Sequence, residues 1–253
     1  MSEKGIGKAI TVKKKLESIF KHCLPLFWFG SRIYHALNPG FKSLSPGAPG
    51  AIEKAFKLAK ELHEDAPIGD YYEFGLYKGY TFFSAYQAAQ KLGFTETNFY
   101  GFDSFRGLPS VEDVDKAGGR FFEGQFTCTR QNVEKNLSKN GIDLEKVRLI
   151  EGFYEDTLVE ELKEDLVTKH ASVIMVDCDL YSSTRTVLDW LEGLIMDKTI
   201  LIFDDWFSFT EGEEFGQQRA LKEFQQRNKH LVFEPVIEYE RSGKVFLVRM
   251  IEN

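Results

Sequence analysis

Residues 172–206 contain two matched segments, SVIMVDCD (Ser172–Asp179) and ILIFDDW (Ile200–Trp206). Each segment is a short apolar run that ends directly in acidic residues. Between them, apolar residues recur at three- and four-residue steps from Ser183 to Leu194, which predicts a helix. A strand, a helix and a second strand in this order form a right-handed crossover, so the two strands are expected to lie parallel in one sheet.

The acidic residues after the two runs are Asp177, Asp179, Asp204 and Asp205. Because ligands of open α/β sheets bind outside the carboxyl ends of the strands, these four carboxylates are expected to meet at a binding site. Like charges at short range repel one another unless a cation lies between them, and hard divalent cations prefer oxygen ligands. The pattern favours a magnesium-type site. The alternative is that the acids are solvated loop residues.

The composition indicates an ordinary globular protein. The chain has 253 residues, of which 43% are hydrophobic and 28% charged. This length accommodates one large α/β domain, with or without a small appendage. The formal net charge of −7 argues against nucleic-acid binding, which needs a basic face.

The cysteine pattern bears on the cellular location. Cys23, Cys128 and Cys178 are odd in number and widely spaced, which indicates a reducing cytoplasm and neither a zinc site nor a disulfide framework. Cys178 lies between the acids, but no histidine accompanies it in any motif. It is therefore interpreted as a small residue that packs beneath the site, in preference to a nucleophile.

The first 50 residues differ from the rest and are predicted to form a helical and loop extension, with the main domain at residues 51–253. Lysines are frequent in the first 22 residues, and the apolar run Leu24–Phe29 follows them. This run is too short to span a bilayer. Either the segment attaches to a membrane surface, or it forms a helix that packs on the domain or on a partner subunit.

After a helix at Ala51–Glu64, strands and helices alternate, which predicts an α/β fold with a seven-stranded, mostly parallel sheet. The helix from about Glu213 to Asn228 precedes a final pair of strands, which is expected to form an antiparallel hairpin. The predicted strands are Asp70–Phe74, Asn98–Phe102, Val147–Glu151, Val173–Val176, Ile200–Phe203, Val232–Glu238 and Lys244–Met250. Residues 103–126 do not fit the alternation and form either a lid over the site or a flexible excursion.

The first strand runs into a glycine turn, with Gly75 and Gly79 before the next helix, and the second strand leads to Asp103. Glycines let a backbone approach a ligand, and an acid at Asp103 suits ribose hydroxyls. The turn lacks the G-x-G-x-x-G fingerprint of dinucleotide sites. A nucleoside without phosphates therefore fits better than NAD, and S-adenosylmethionine is such a molecule. Its ammonium group would be held by Glu73, and aromatics near Phe153 would face the adenine.

Five motifs in order over about residues 70–250 resemble the macrocin O-methyltransferase family, whose members methylate hydroxyls of antibiotic deoxysugars. The motifs are Glu73-Phe74-Gly75, Phe102-Asp103-Ser104-Phe105-x-Gly107-Leu108-Pro109, Gly152-Phe153-x-x-Asp156-Thr157-Leu158, Asp177-x-Asp179-Leu180-Tyr181-x-Ser183-Thr184 and Asp204-Asp205-Trp206. The resemblance implies a class I methyltransferase (Rossmann-like) fold, S-adenosylmethionine as donor, dependence on Mg²⁺ and often an oligomer. It also implies Asp177, Asp204 and Asp205 as metal ligands and Asp179 as the base.

The expected function is an Mg-assisted transfer of a methyl group to a hydroxyl of a small-molecule glycoside, from a natural product or a polysaccharide. The protein is expected to be cytoplasmic, without a transmembrane segment, and to form a homo-oligomer. The alternatives are a catechol-type diol methyltransferase, a haloacid dehalogenase-like phosphotransferase using the two acid clusters, and a non-catalytic protein that binds a cofactor or acts as a scaffold. The residues predicted to bind the cofactor are Glu73, Phe74, Gly75, Gly79, Thr81, Asp103, Ser104, Gly152 and Phe153.

Overall fold

The computed structural model describes residues 40–63, 68–116, 121–166, 170–209, 215–240 and 243–251. The chain divides into two compact units, residues 1–40 and 41–253. The helices and strands that the structure describes belong to the second unit. The interpretations of the lysine-rich segment and of Leu24–Phe29 lie outside the described residues and stay predictions, as does the division of the chain at residue 50.

The described residues form a seven-stranded sheet in the order β3-β2-β1-β4-β5-β7-β6. Strands β1 to β5 pair in parallel, whereas β7 pairs antiparallel with both β5 and β6. The predicted mostly parallel sheet with a terminal hairpin is thus confirmed. The strands are β1 Asp70–Phe74, β2 Phe99–Asp103, β3 Val147–Glu151, β4 Ala171–Val176, β5 Ile200–Phe203, β6 Leu231–Tyr239 and β7 Gly243–Met250.

Helices cover both faces of the sheet. On one face Tyr71 and Phe99 pack against helices α1 and α2, and on the other Phe74 and Phe102 pack against Trp190 of α6. Both faces of β4 and β5 are buried, which explains their unbroken apolar sequences. The helices are α1 Ala48–His63, α2 Tyr80–Leu92, α3 Arg130–Lys139, α4 Tyr154–Thr157, α5 Glu160–Glu164, α6 Tyr181–Leu191 and α7 Gly216–Arg227.

Several element boundaries differ from the prediction by one to three residues, and for two of them hydrogen bonds give a physical reason. Strand β2 begins at Phe99, because the backbone and side chain of Asn98 both donate to Asp70 Oδ1. Helix α6 begins at Tyr181, two residues before the predicted start. The first backbone amides of this helix donate hydrogen bonds to the side chain of Asp115, a residue distant in sequence. The spacing of apolar residues along the sequence does not predict a contact with such a distant residue.

The strand order reverses between β1 and β4, which are neighbours in the sheet although two other strands lie between them in sequence. In open α/β sheets the crevice at such a reversal, outside the carboxyl ends of the strands, is the usual ligand site. Strands β1, β4 and β5 end there in Phe74, Val176 and Phe203. The residues that follow these three strands therefore share one rim.

Candidate active site

The turn after β1 lies directly against the end of β4. Gly75 has a φ of +93°, and a Cβ atom at this position would lie 1.8 Å from the carbonyl oxygen of Asp177. The Asp177 amide in turn donates to Phe74 O at 2.8 Å. Only glycine permits this approach. The turn expected to hold the cofactor and the first acidic cluster are thus joined by backbone contact.

Glu73 lies beneath this turn and has no exposed surface. Its carboxyl accepts hydrogen bonds from the Tyr71 hydroxyl and, at 2.6 Å, from Thr81 Oγ1. Burial raises the pKa of Glu73 to about 8, the negative charges of Asp204 and Asp103 add to this rise, and the two hydroxyl hydrogen bonds oppose it. The neutral carboxyl therefore predominates at pH 7. A neutral carboxyl binds the ammonium group assigned to it only through a hydrogen bond.

Asp103 fastens the end of β2 to the glycine turn. Its Oδ2 accepts from the amides of Leu76 at 2.7 Å and Tyr77 at 3.1 Å, and its Oδ1 accepts from the Phe105 amide at 2.6 Å. Burial raises the pKa of Asp103, whereas these backbone hydrogen bonds lower it. A carboxylate offers about four acceptor positions, so three amides leave one for a ribose hydroxyl. The sequence predicted the position of this acid, but not the hydrogen bonds that it accepts from the glycine turn.

The other predicted cofactor residues lie at or shortly after the ends of β1, β2 and β3. Gly79 precedes helix α2, and the Gly152 amide donates to Asp103 O at 3.0 Å. The Phe74 ring is buried and stacks on Phe102 at 4.6 Å between centroids, and its carbonyl oxygen accepts from the Asp177 amide. Ser104 Oγ donates to Gly107 O at 2.7 Å. Phe153 precedes helix α4 and is half-buried.

The structure brings the four predicted acids of β4 and β5 to one rim. Burial raises the pKa of Asp177 well above its usual range, and the charges of Asp204, Asp205 and Asp179 raise it further. Burial and the Asp205 charge raise the pKa of Asp204 to about 7, against hydrogen bonds from Tyr239 and Ser45 that lower it. Mutual repulsion among these carboxyls follows from their proximity.

The donor set of this rim suits a hard cation, because all its side chains offer oxygen. Among the described residues, however, no three His, Cys, Asp or Glu side chains are arranged to hold one metal ion. Asp177, Asp204 and Asp205 thus fit Mg²⁺ in their chemistry, but they do not form a ready-made coordination geometry. Their role as metal ligands stays a prediction.

Asp179 occupies the centre of a tight turn. Its φ is +61°, and the Leu180 amide donates to Cys178 O at 2.6 Å across it. A turn of this kind, with positive φ at the central residue, is rare and strained. Cys178 is buried below it, with Sγ 3.5 Å from Thr184 Oγ1. This agrees with the interpretation of Cys178 as a packing residue.

Two further side chains hold the acids in place, and the sequence analysis missed both. Gln217 of α7 accepts from the Asp205 amide and donates to Val176 O, each at 3.0 Å, so it bridges the ends of β5 and β4. Tyr239 of β6 donates to Asp204 Oδ1 at 2.7 Å. Neither Gln217 nor Tyr239 lies in a motif quoted above.

The family model described as Macrocin-O-methyltransferase (TylF) matches residues 52–247. The chain belongs to this family. A curated family relative, the 8-demethyl-8-(2,3-dimethoxy-alpha-L-rhamnosyl)-tetracenomycin-C 4'-O-methyltransferase of Streptomyces olivaceus, is 27% identical over 147 residues. The alignment spans 56% of this chain and about half, 54%, of that relative.

Solved structures show the same fold. The O-methyltransferase NovP superposes with a TM-score of 0.65 at 21% identity, over 79% of this chain and 80% of NovP. An O-methyltransferase from Bacillus cereus, solved in complex with SAH, has a TM-score of 0.56 at 11% identity, over 86% and 87% of the two chains. The predicted class I methyltransferase fold and the predicted family are therefore confirmed. The haloacid dehalogenase alternative is wrong.

Proposed function

We propose that this protein is an S-adenosylmethionine-dependent O-methyltransferase that acts on a hydroxyl of a sugar in a natural-product or polysaccharide glycoside. The observation that carries this proposal is the backbone contact between Gly75 and Asp177. It places a turn suited to the nucleoside cofactor beside four carboxylates suited to activate a hydroxyl. Family membership and the rhamnosyl acceptor in the relative's name support the same reading.

The cofactor half of the site is built on β1 and β2. When bound, S-adenosylmethionine supplies a methyl group on a positively charged sulfur. Asp103 holds the Leu76 and Tyr77 amides in place and keeps one acceptor position for the ribose. Glu73 and Thr81 support the turn from below through their mutual hydrogen bond.

The acceptor half is built on β4 and β5. Asp179 accepts the proton of the sugar hydroxyl, which frees a lone pair of that oxygen for the bond to the methyl carbon. Burial of Asp179 and Asp204, beside the partly buried Asp177, favours this step in a water-poor rim, because the charges of the oxygen and the sulfonium neutralise each other. No described histidine lies in the rim, so a carboxylate is the base.

The proposal includes Mg²⁺ held by Asp177, Asp204 and Asp205. When bound by these carboxylates, a divalent cation would lower the pKa of a sugar hydroxyl beside it and would offset the repulsion among the carboxyls. Two neighbouring sugar hydroxyls suit such an ion as ligands.

The proposal also includes the cellular location and the oligomeric state of the protein. Among the described residues no helix is long and apolar enough to cross a bilayer. Free Cys128 and Cys178 support a reducing, cytoplasmic location. Assembly into a homo-oligomer is proposed from the family resemblance, and nucleic acid is not expected as a partner because of the net charge of −7.

Calorimetric titration of S-adenosylhomocysteine tests the cofactor half. We expect the native chain to bind it, and Asp103→Ala to weaken binding about 10- to 100-fold, because hydrogen bonds to a charged group are lost. Glu96→Ala, an exposed acid just before β2, serves as the matched control and should bind as the native chain does. Absence of binding to the native chain would contradict the methyltransferase proposal.

Methyl transfer to a panel of acceptors tests the other half. The panel contains an L-rhamnosyl natural-product glycoside, a rhamnose-containing oligosaccharide, a nucleotide-linked rhamnose and catechol. We expect transfer to a rhamnosyl acceptor and its loss in Asp179→Asn. Transfer to catechol alone would show that the acceptor is a catechol-type diol and not a sugar.

A further inference from the structure

Asp115 is a buried carboxylate in the middle of the long loop between β2 and α3. It ends the 3₁₀ turn Asp113–Asp115 and is 2% exposed, whereas the side chain of Asp113 in the same turn is 96% exposed. Its Oδ1 accepts from the Tyr181 amide at 2.6 Å, and its Oδ2 accepts from the Ser182 amide at 3.2 Å. Both oxygens thus bind the first turn of α6, about 66 residues away in sequence.

This contact replaces a cap that the helix lacks. The first amides of any α-helix have no partner within the helix. The residue at the cap position of α6 is Leu180, which makes no side-chain hydrogen bond to them. Asp115 fills that role from another part of the chain, and its negative charge suits the positive end of the helix dipole.

The capped helix begins directly after the strained turn at Asp179. On its strand side, that turn follows Asp177, whose amide is bonded to Phe74 O. On its helix side, it runs into Tyr181 and Ser182, the two residues that Asp115 holds. A strained backbone persists only where the surrounding structure fixes it. Asp115 therefore supplies one of the supports that keep Asp179 in its conformation.

The same loop is also tied to the cofactor half of the site. Its first residues follow Asp103, whose Oδ1 accepts from the Phe105 amide and whose Oδ2 holds Leu76 and Tyr77. One described segment, residues 104–116, thus runs from the glycine turn to the Asp179 turn. It braces the two halves of the site against each other.

We propose that Asp115 is a positioning residue for the reaction: by holding the start of α6, it fixes the proposed base Asp179 relative to the cofactor turn. This inference rests on the proposed function. It predicts that loss of Asp115 impairs the methyl-transfer step and leaves cofactor binding intact, because the Asp115 carboxylate accepts from the Tyr181 and Ser182 amides, whereas Asp103 holds the glycine turn.

The test compares Asp115→Ala, Asp115→Asn and the control Asp113→Ala in the full-length protein. Three quantities are measured: kcat and KM with an L-rhamnosyl glycoside, the Kd of S-adenosylhomocysteine, and hydrogen–deuterium exchange of a peptide spanning residues 178–184. For Asp115→Ala we expect kcat to fall about 10- to 100-fold, since small misplacements of reacting groups have effects of this size. Exchange in residues 178–184 should be faster, with Kd unchanged.

The other two variants distinguish loss of the Asp115 hydrogen bonds from a general effect of mutating this turn. Asp115→Asn keeps one accepting oxygen and should recover part of kcat, and Asp113→Ala should match the native chain. An unchanged kcat in folded Asp115→Ala would overturn the inference. So would a parallel loss of kcat and cofactor affinity with faster exchange throughout the sheet, which indicates a general structural role.

Failure of the proposed function has a different signature. In that case the native chain transfers no methyl group, but the exchange comparison still reports on Asp115. Unchanged exchange of residues 178–184 in Asp115→Ala would then show that Asp115 does not hold the Asp179 turn, and would overturn the inference on that ground.

Discussion

Gly75 is the residue at which backbone geometry most directly limits the site. A side chain here would meet the Asp177 carbonyl carbon at 2.8 Å as well as its oxygen at 1.8 Å. Neither atom belongs to a flexible side chain, so the backbones of β1 and β4 would have to separate. The separation would move Asp177 and the cofactor turn at the same time.

We predict that Gly75→Ala destabilises the fold by about 3 kcal/mol or more and abolishes binding of S-adenosylhomocysteine, because a positive φ and a steric clash act together. Denaturant unfolding and calorimetry measure the two effects. Gly93→Ala is the matched control: Gly93 has a φ of +88° and nothing within 4 Å of its Cβ position. It should lose only about 1 kcal/mol and bind normally. Equal losses in both variants would exclude the clash as the cause.

At the scale of elements, helix α7 sets the spacing between the two acid-bearing strands. Gln217 is 1% exposed, and its amide group joins Val176 O at the end of β4 to the Asp205 amide after β5. A single side chain therefore accepts from the Asp205 amide and gives Val176 O, which also accepts from the Asp204 amide at 3.2 Å, a second hydrogen bond. Buried backbone groups without partners are costly, so this bridge also contributes to stability.

We predict that Gln217→Ala lowers the free energy of unfolding by about 2 kcal/mol, because two buried hydrogen bonds are lost. The kcat for methyl transfer should fall more than the affinity for S-adenosylhomocysteine, since Gln217 contacts the acid rim and not the glycine turn. Gln225→Ala, on the exposed side of the same helix, is the control and should change neither quantity. A Gln217→Ala variant with native kcat would show that the acids keep their positions without this bridge.

The elements that the sequence predicts well are those specified by local patterns. The apolar runs that end in Asp177 and Asp204 located β4, β5 and the acid rim, because unbroken apolar runs mark buried parallel strands and the ends of such strands share one edge. The hairpin followed from turn residues around Ser242 and Gly243. These signals lie within about ten residues of the feature that they predict.

The parts that the sequence did not predict depend on contacts between distant residues. Asp115 binds an amide 66 residues away, and Gln217 binds the end of β4 across 41 residues. Nothing in the neighbourhood of either residue distinguishes it from an ordinary loop acid or a surface glutamine of a helix. The same reason explains why α6 was predicted to begin at Ser183: its cap is not local.

At the scale of the whole molecule, the acid rim opposes folding when no cation is present. Raised pKa values at Asp177 and Asp204 mean that their charged forms are less stable in the folded chain than in water. The chain as a whole adds to this repulsion with a net charge of −7. A ligand that binds only the folded state stabilises it by mass action. A divalent cation at the rim should therefore raise the unfolding temperature.

We predict that magnesium at about 100 times its Kd raises the Tm of the EDTA-treated native chain by roughly 5 to 10 °C, since this excess contributes about 2.7 kcal/mol and each kcal/mol shifts Tm by about 2–4 °C at this size. Thermal unfolding measured by circular dichroism checks the shift. Asp204→Asn should show little or none of it, whereas Asp113→Asn, which removes an exposed acid, should keep it. An equal shift in Asp204→Asn, or no shift in the native chain, would contradict the proposal that magnesium binds at the rim. Activation of the acceptor hydroxyl would then depend on Asp179 alone.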